Sequence, residues 1–371
     1  MRRFPPTSTP SPSPPASATP RRVTSYDVAS LAGVSQSAVS RCFRTGASVS
    51  KDTLARVMQA AAALDYTPNA AARGLITRRS HLVALVIAGE PGSLLPELLS
   101  ALAGQLARRG MRMVLFTVDQ GANQALHDIW HYQLDGAIVA AALTAQQECE
   151  FARRRMPLVF YNHDSKLGAT GAIVCDHAQA AYAMVERLAG AGQRRLAIID
   201  GPADAPAVQA RLAGACAAAE ALGLGAPRQL CGQFSHDSGA HALRALLASP
   251  QGAPDALLCG NDALAVGCLE VAHCYGLAVP NALSVVSLDG DGEPLHGLCT
   301  QRQPVALMAQ AAVDMLAGLI EGDGVPQQLR FAVTVIDGAS ARFSPGAARP
   351  GGRRSELMHA GAPAPGVLGA V

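Results

Sequence analysis

The sequence has no apolar run long enough to cross a membrane. A membrane-spanning helix needs about 18 or more consecutive apolar residues, and no stretch of the 371 residues approaches that length, although 49% of them are hydrophobic. The first twenty residues hold seven prolines and seven serines or threonines, where a signal peptide would have a compact apolar core. We therefore expect neither membrane insertion nor secretion, and we expect a cytoplasmic protein.

Motifs for metal binding and catalysis are also scarce. The nine cysteines include no Cys-x-x-Cys pair, which favours reduced thiols over disulfides or a zinc site. His127 and His131 have the spacing of a zinc-protease helix, but Asp128 stands where that motif needs Glu and no third ligand is evident. There is no Walker phosphate loop, no Gly-x-Ser-x-Gly elbow and no convincing acid–base pair. We expect no metal, no cofactor and no enzymatic activity.

Charge is distributed unevenly along the chain. Residues 1–80 hold eleven Arg and Lys and three acidic residues, a net charge of +8, whereas the remainder holds 19 basic and 25 acidic residues, a net charge of −6. A basic head on a mildly acidic body suggests that the head meets a polyanion, although a merely solvated head fits the charge equally well. The Pro-, Ser- and Thr-rich residues 1–22 read as a disordered arm, or as a stretch before the true start of translation.

Residues 23–68 have the pattern of three short helices. Thr24 caps the first, which Gly33 stops, and Ser35 caps a second from Gln36 to Phe43. Ser50 caps the third. The predicted inward-facing residues are Val28, Ala29 and Ala32 in the first helix, Val39 and Phe43 in the second, and Leu54, Val57, Ala61 and Leu64 in the third.

Residues 81–344 alternate short apolar runs with Ala- and Leu-rich helical stretches, the pattern of parallel sheets covered on both faces. A body of roughly 260 residues suggests two similar lobes with a ligand cleft between them. The fold class is therefore α/β with parallel sheets. The predicted strands are Leu82–Ile87, Met113–Thr117, Gly136–Val139, Leu158–Phe160, Leu196–Ile199, Ala256–Leu258 and Leu283–Leu288.

A dense motif spans residues 23–41. The runs Val23-Thr24-Ser25-Tyr26-Asp27-Val28-Ala29, Ala32-Gly33-Val34-Ser35 and Val39-Ser40-Arg41 follow the pattern V-T-x-x-D-V-A-x-x-A-G-V-S-x-x-x-V-S-R. In this motif the head resembles the helix-turn-helix domain of the LacI family of bacterial transcription regulators.

The resemblance implies a DNA-binding surface on the head. Gln36 and Ser37 would read bases, Arg41 would contact a base edge or a phosphate, and the DNA backbone would be held by Thr24, Tyr26, Ser35 and Ser48. The residues themselves allow this, because a short helix that opens with polar side chains places donors and acceptors where major-groove base edges are reached. Each of these residues could alternatively be an ordinary polar surface residue.

Residues 68–75 match the family's hinge helix, P-N-x-x-A-R-x-L, and so short a helix should order only when paired with its twin on DNA. The resemblance makes Asn69, Ala72, Arg73 and Leu75 DNA-binding residues. Leu75 would wedge into the minor groove and bend the duplex, or it would anchor the linker to the body.

The body resembles the family's effector-binding domain, which has the periplasmic sugar-binding-protein fold. The resemblance rests on four short sequence motifs. They are Asp135-Gly136, then Asp200-Gly201-Pro202 with Ala210-Arg211-Leu212-Ala213-Gly214, then Pro254-Asp255-Ala256 with Gly260-Asn261-Asp262, and Ser284-Val285-Val286-Ser287-Leu288-Asp289. The implied effector-binding residues are Asn162, Asp176, Arg211, Phe234, Asn261 and Asp289.

Those side chains suit a sugar, because a guanidinium, a carboxylate and an amide can bind vicinal hydroxyls while Phe234 stacks on a ring. Structural roles are also open: Asn261 could cap a helix, Asp289 could belong to a turn, and Phe234 could lie in the core. Gly92-Ser93-Leu94-Leu95 replaces the Asn-Pro-Phe-Phe of many relatives. The loss of that aromatic residue argues against a hexose and leaves open a smaller or less ring-like ligand, or a body that has lost its ligand.

The sequence is thus interpreted as a sequence-specific DNA-binding regulator, a repressor whose operator affinity a small molecule controls. The small molecule would weaken operator binding or, with the sign reversed, act as a corepressor. It would bind a palindromic operator as a homodimer or a dimer of dimers, since one head alone buries too little surface for specificity. The alternatives are a solute-binding protein and a sugar-processing enzyme on the same body. The expected segments are a disordered arm (1–22), a helix-turn-helix domain (23–68), a hinge helix and linker (69–80), an effector-binding and dimerisation domain (81–344) and a disordered tail (345–371).

Overall fold

A computed structural model describes residues 23–43, 48–68, 79–88, 94–118, 122–290 and 297–343. The chain divides into two units, Met1–Arg78 and Arg79–Val371, and each is described by itself. Among the described residues, no helix is both long enough and apolar enough to span a membrane.

The first unit contains helices α1 (Ser25–Ala32), α2 (Gln36–Cys42) and α3 (Lys51–Ala63). Thr24 precedes α1, and its backbone N–H and its hydroxyl both donate to Asp27 Oδ2, at 2.8 and 2.7 Å. Gly33 ends α1 in the left-handed region, with a φ of 63°, which glycine adopts without strain. The hydroxyls of Ser35 and Ser50 accept backbone N–H groups of α2 and α3. The predicted helices and caps are confirmed.

A small apolar cluster holds these helices together. Val28, Val39 and Val57, one from each helix, are fully buried, and each contributes roughly 1.5–3 kcal/mol of hydrophobic stabilisation. The prediction that Leu54 lies on the buried face of α3 is wrong, because its side chain is 38% exposed. The buried face of α3 begins one turn later, at Val57, and the first turn extends past the cluster.

The second unit alternates strands and helices. Its described elements, in chain order, are β1 (Leu82–Ala88), α4 (Leu95–Arg108), β2 (Arg112–Val118), α5 (Ala122–Ile129), β3 (Gly136–Ala140), α6 (Ala145–Arg153), β4 (Leu158–Tyr161), β5 (Gly171–Cys175), α7 (His177–Gly190), β6 (Leu196–Asp200), α8 (Pro206–Ala221), β7 (Arg228–Cys231), α9 (His236–Ala248), β8 (Ala256–Cys259), α10 (Asp262–Cys274), β9 (Ser284–Ser287), β10 (Cys299–Arg302), α11 (Val305–Glu321), β11 (Gln328–Phe331) and β12 (Thr334–Ile336).

The first lobe of this unit is a six-stranded parallel sheet in the order β11-β5-β4-β3-β1-β2. Leu102 of α4 and Leu316 of α11 pack on one face of the sheet, and Ile129 of α5 and Phe151 of α6 pack on the other. Both faces of the central strands are therefore buried, which explains their nearly continuous apolar sequences.

The second lobe has the strand order β12-β10-β9-β8-β6-β7, in which β12 alone is antiparallel to its neighbour. Helices α9 and α10 cover one face, and α7 and α8 cover the other. Gly214 allows α8 to approach α7 closely, since a Cβ there would lie 2.0 Å from the carbonyl oxygen of Ala178. The two lobes together confirm the predicted α/β body.

The chain passes between the lobes three times: after β5 at Asp176, after β10 at Gln303, and between β11 and β12. The first and third passages are joined, because the backbone N–H of Asp176 donates to the carbonyl oxygen of Phe331 at 3.0 Å. Ligands of open parallel sheets bind beyond the carboxyl ends of the strands. Residues that follow these strand ends are therefore placed to form a binding site.

All seven predicted strands are present, with ends within one residue of those predicted. Strands β5, β7, β10, β11 and β12 were not predicted. A loop, not a helix, joins β4 to β5, so the alternation of strand and helix fails there. The other four strands, β7, β10, β11 and β12, are three or four residues long and carry polar residues. Three of them, β7, β11 and β12, are edge strands, and β10 pairs with the edge strand β12.

Candidate functional sites

The start of α2 presents polar side chains at the surface of the head. Ser35 caps the helix and shares a 3.0 Å hydrogen bond with the hydroxyl of Ser37. Arg41 lies one turn beyond Ser37 and is exposed, and its guanidinium has no hydrogen bond or ion pair to another described residue. Gln36 is half-buried, and its Nε2 donates to Ser25 Oγ at 3.2 Å. This helix end offers hydroxyl, amide and guanidinium groups, the chemistry that base edges and phosphates require.

The remaining predicted DNA contacts of the head also lie outside its apolar cluster. Tyr26 is 70% exposed, Ser48 is exposed, and Thr24 is half-buried beside its bond to Asp27. Four predicted contacts belong to the hinge segment and lie outside the described residues: Asn69, Ala72, Arg73 and Leu75.

In the body, a chain of hydrogen bonds runs across the junction of the lobes. Arg211 Nη2 donates to Asp289 Oδ2 at 2.9 Å, and Gln303 Nε2 donates to Asp289 Oδ1 at 2.7 Å. Asn162 Nδ2 in turn donates to Gln303 Oε1 at 2.6 Å. Asn162 follows β4 of the first lobe, whereas Arg211 and Asp289 belong to the second. Gln303 lies in the passage between the lobes, so its side chain joins them.

Arg211 is held by a second carboxylate as well. Its residue surface is 2% exposed, and its Nη1 lies 3.3 Å from Oδ1 of the buried Asp200. One guanidinium between two carboxylates gives the cluster a formal charge of −1. A buried charge is tolerated when it is paired and hydrogen-bonded, so Asp200 and Asp289 fix the position of Arg211.

Several buried polar atoms near this series of hydrogen bonds have no hydrogen-bond partner in the described part of the protein. They are Asp200 Oδ2, Arg211 Nε, Tyr161 Oη and His177 Nδ1. Buried polar atoms are almost always satisfied by protein, water or ligand. Donors and acceptors that remain unsatisfied at the ends of β4, β5 and β6 therefore mark this junction as a place where a polar ligand or ordered water binds.

Burial keeps three ionisable groups of the junction, His177, Cys175 and Tyr161, in their neutral forms. Burial, with a smaller effect of the nearby Arg211 charge, lowers the pKa of His177 to about 3, so its imidazole is neutral near pH 7. Burial likewise raises the pKa of the Cys175 thiol to about 12 and the pKa of Tyr161 above its usual value. These groups offer neutral hydrogen-bonding atoms to a ligand.

The other predicted effector contacts have additional partners. Asn261 Oδ1 caps α10 by accepting from Leu264 N at 3.0 Å, which leaves its Nδ2 for other use. Asp176 caps α7 in the same way. Phe234 is 43% exposed and therefore is not a core residue. Its ring covers Gly201, where a Cβ would lie 2.3 Å from Phe234 Cε2.

The hydrogen bonds thus connect three of the six predicted residues, Asn162, Arg211 and Asp289, and they add two that were not predicted. Asp200 closes the apolar run of β6, and its position at a strand end was the available signal. No pattern in the sequence pointed to Gln303, because the short strand β10 that precedes it was not predicted.

A three-helix head with a polar recognition surface, and a two-lobed body whose buried polar groups converge between the lobes, define a DNA-binding protein with a ligand cleft. The family description "Bacterial regulatory proteins, lacI family" matches residues 24–69, and "Periplasmic binding protein-like domain" matches residues 185–341. The chain belongs to the LacI family, and it is a DNA-binding transcriptional regulator. The resemblance predicted from the sequence is confirmed.

Individual relatives are similar to this protein over most of its length. The ribose operon repressor of Escherichia coli (strain K12) is 30% identical over 324 residues, which cover 84% of this chain and 97% of the relative. The regulator CelR of Thermobifida fusca is 31% identical over 325 residues, with coverages of 82% and 93%. The crystal structure of the Lac repressor dimer bound to operator and the anti-inducer ONPF superposes with a TM-score of 0.78 at 26% identity, covering 86% of this chain and 99% of that one.

Proposed function

We propose that the protein is a repressor that binds a palindromic operator as a homodimer and releases it when a small neutral sugar or polyol enters the cleft. The observation that supports this proposal is a series of hydrogen bonds from Arg211 through Asp289 and Gln303 to Asn162, which joins both lobes. Buried donors and acceptors without a described partner lie beside it. A ligand that binds these atoms changes how the lobes are held together.

On the DNA side, Gln36 and Ser37 read bases and Arg41 contacts a base edge or phosphate, while Thr24, Tyr26, Ser35 and Ser48 hold the backbone. Their exposure and polarity at the start of α2 and around α1 support these roles. Relatives named as operon repressors, and the Lac repressor solved as a dimer on operator, support repression and two-fold pairing.

The effector class follows from charge and size. Two carboxylates around one guanidinium disfavour an anionic ligand, whereas hydroxyl groups both donate and accept and so match Asp289, Asn162 and the neutral His177. Phe234 supplies one apolar face for a sugar ring. The absence of a second aromatic residue at 92–95 favours a pentose-sized ligand, and the ribose operon repressor among the relatives supports the same choice.

The start of the body is built to transmit the change. Asp135 Oδ1 accepts from the backbone N–H and the hydroxyl of Ser80, at 2.8 and 2.9 Å, and Oδ2 accepts from His81 N at 3.0 Å. Arg79 Nη2 donates to the carbonyl oxygen of Ile320, at the end of α11, at 3.0 Å. Movement of the first lobe therefore moves the attachment point of the linker. Effector binding would weaken operator binding by roughly 1 to 3 kcal/mol through this link.

We further propose a cytoplasmic protein that is not an enzyme and needs no cofactor. Its relatives are transcriptional regulators, and a protein that acts on DNA must share its compartment. Among the described residues, the cleft offers no carboxylic acid and base arranged around a reactive centre, since Asp200 and Asp289 are both engaged by Arg211. Turnover of an effector by purified protein would contradict this assignment.

The test is selection of bound duplexes from a random library by the full chain at about physiological salt. The selected duplex is then titrated with protein in the presence of neutral pentoses, hexoses, polyols and sugar phosphates. We expect a palindrome with two half-sites, and weaker binding with a neutral sugar. Recovery of no motif would contradict operator recognition, and a response confined to phosphorylated sugars would contradict the neutral effector.

Asp289→Asn tests the cleft directly, because it keeps the shape of the side chain and removes the charge that holds Arg211. It should bind operator but lose the response to sugar. Asp337→Asn is the matched control, since Asp337 is an exposed carboxylate paired with Arg187 on the same lobe, and it should respond like the unaltered protein.

A further inference from the structure

Two polar side chains of the head meet across the gap between its first two helices. Ser25 is the first residue of α1 and Gln36 is the first residue of α2. Gln36 Nε2 donates to Ser25 Oγ at 3.2 Å, and both residues are half-buried. The amide that opens the recognition helix is therefore oriented by a hydroxyl from the neighbouring helix, before any DNA is bound.

This bond changes what Gln36 can offer to a base. A glutamine amide has two N–H donors and one carbonyl acceptor. The bond to Ser25 occupies one donor, which leaves the other N–H and Oε1. In the major groove adenine presents N7 as an acceptor beside its N6 amino donor, whereas guanine presents two acceptors, N7 and O6. One donor beside one acceptor complements adenine and fails against guanine.

We propose that Ser25 is a specificity-determining residue, which fixes the amide of Gln36 so that each half-site is read as adenine at the position Gln36 faces. The inference rests on the proposed function, in which Gln36 reads a base. Ser25 acts by positioning Gln36 and need not touch the base. A fixed amide also loses less side-chain freedom on binding than a mobile one.

The opposite orientation of the Gln36 amide would favour guanine instead of adenine. If the Ser25 hydroxyl donated to Oε1, both N–H groups of Gln36 would face the groove, and two donors complement guanine. The preferred base at this position therefore reports the direction of the hydrogen bond. Ser37 is fixed separately by its bond to Ser35, so the position read by Gln36 can be followed alone.

The experiment is duplex selection with four full-length variants: Gln36→Ala, Ser25→Ala, Ser25→Thr and Ser30→Ala. Gln36→Ala identifies the half-site position at which preference is lost. Ser25→Ala should reduce the preference for adenine at that same position by roughly 3- to 10-fold, the effect of losing one hydrogen bond, with other positions unchanged. Ser25→Thr keeps a hydroxyl and should keep the preference. Ser30→Ala removes an exposed hydroxyl from the same helix and should change nothing.

The inference is overturned if Ser25→Ala leaves the preference intact, if the selected base is guanine, or if preference falls equally at all positions, which would indicate a general loss of head structure. Equal thermal unfolding of Ser25→Ala and Ser30→Ala is required alongside the expected result. A motif recovered by the unaltered protein but indifferent to Gln36→Ala would overturn this inference and leave the regulator assignment standing. No motif at all would overturn both.

Discussion

The DNA-reading surface of the head and the cleft of the body are assembled in different ways. In the head, the hydrogen bonds that orient functional side chains join residues two to eleven positions apart, such as Ser35 with Ser37 and Ser25 with Gln36. In the cleft they join residues 11 to 141 positions apart. The two longest separations are 78, between Arg211 and Asp289, and 141, between Asn162 and Gln303. The head residues are mostly exposed, and the cleft residues are mostly buried.

This contrast separates two kinds of functional residue. An exposed residue held by a local contact can change without disturbing the fold, so the DNA sequence that is read can vary independently of stability. A buried charge held from distant strands contributes to folding and function together. We therefore expect cleft substitutions to alter stability and head substitutions to alter recognition alone.

The largest effect that this contrast predicts is for Arg211→Ala. It leaves Asp200 buried without its cation, which should reduce the free energy of unfolding by about 3–5 kcal/mol, measured by denaturant titration. Arg195→Ala removes an exposed partner of Asp255 and should cost less than about 1 kcal/mol. Similar costs for the two variants would remove the distinction between the buried and the exposed pair.

Arg41→Ala should weaken operator binding by up to about 3 kcal/mol if Arg41 reads a base, with no change in unfolding, because the side chain is exposed and has no described partner. Competition between the selected duplex and single-base variants measures the effect. Lys51→Ala removes an equal charge from α3 and should weaken all duplexes alike or none. An unchanged sequence preference in Arg41→Ala would assign Arg41 to a phosphate.

His177 gives the cleft a pH dependence that the head should lack. Its pKa is about 3 in the folded protein and near 6.5 in the unfolded chain, so the unfolded chain binds an extra proton as the pH falls below about 6.5. Between pH 7 and pH 5 this proton should destabilise the protein by about 2 kcal/mol. His177→Gln should lose that much less stability over the same range. Parallel pH curves for the two proteins would contradict a buried neutral imidazole.

The smallest predicted effect is for Gly201→Ala, whose new Cβ would displace the ring of Phe234. The ring is exposed enough to move, so the free energy of unfolding should change by less than about 1 kcal/mol, while sugar affinity falls roughly 2- to 10-fold through lost ring contact. Gly225→Ala, where a Cβ meets open space, is the control in calorimetric titration. Unchanged affinity would place Phe234 outside the effector contact.

The difference between local contacts in the head and distant contacts in the cleft also explains which features could be predicted from the sequence. The caps Thr24, Ser35 and Ser50 specify the head helices through contacts with their own first turns, and all three helices were predicted. Leu54 was misjudged, because helical periodicity shows which residues share a face but not how far the neighbouring helices cover it.

In the body, the family motifs pointed to Arg211 and Asp289, and the hydrogen bond between them agrees with their placement at one site. Asp200 lay in one of those motifs, at the end of an apolar run, but nothing in the sequence indicated its pairing with Arg211, and Gln303 belonged to no motif. Their importance depends on pairing across the sheet and between lobes, and Gln303 becomes visible only when β10 places it between Asn162 and Asp289.

The three passages between the lobes have a consequence for synthesis on the ribosome. The first lobe begins with β1 but takes α11 and β11 from residues 305–331, after nearly all of the second lobe has been made. Met308, Val313 and Leu316 of α11 are fully buried in its core. The first lobe is therefore the first part of the body to be translated, but it can finish folding only after α11 and β11 have been made. A nascent chain that stops before α11 exposes the apolar face of its first sheet to chaperones and proteases.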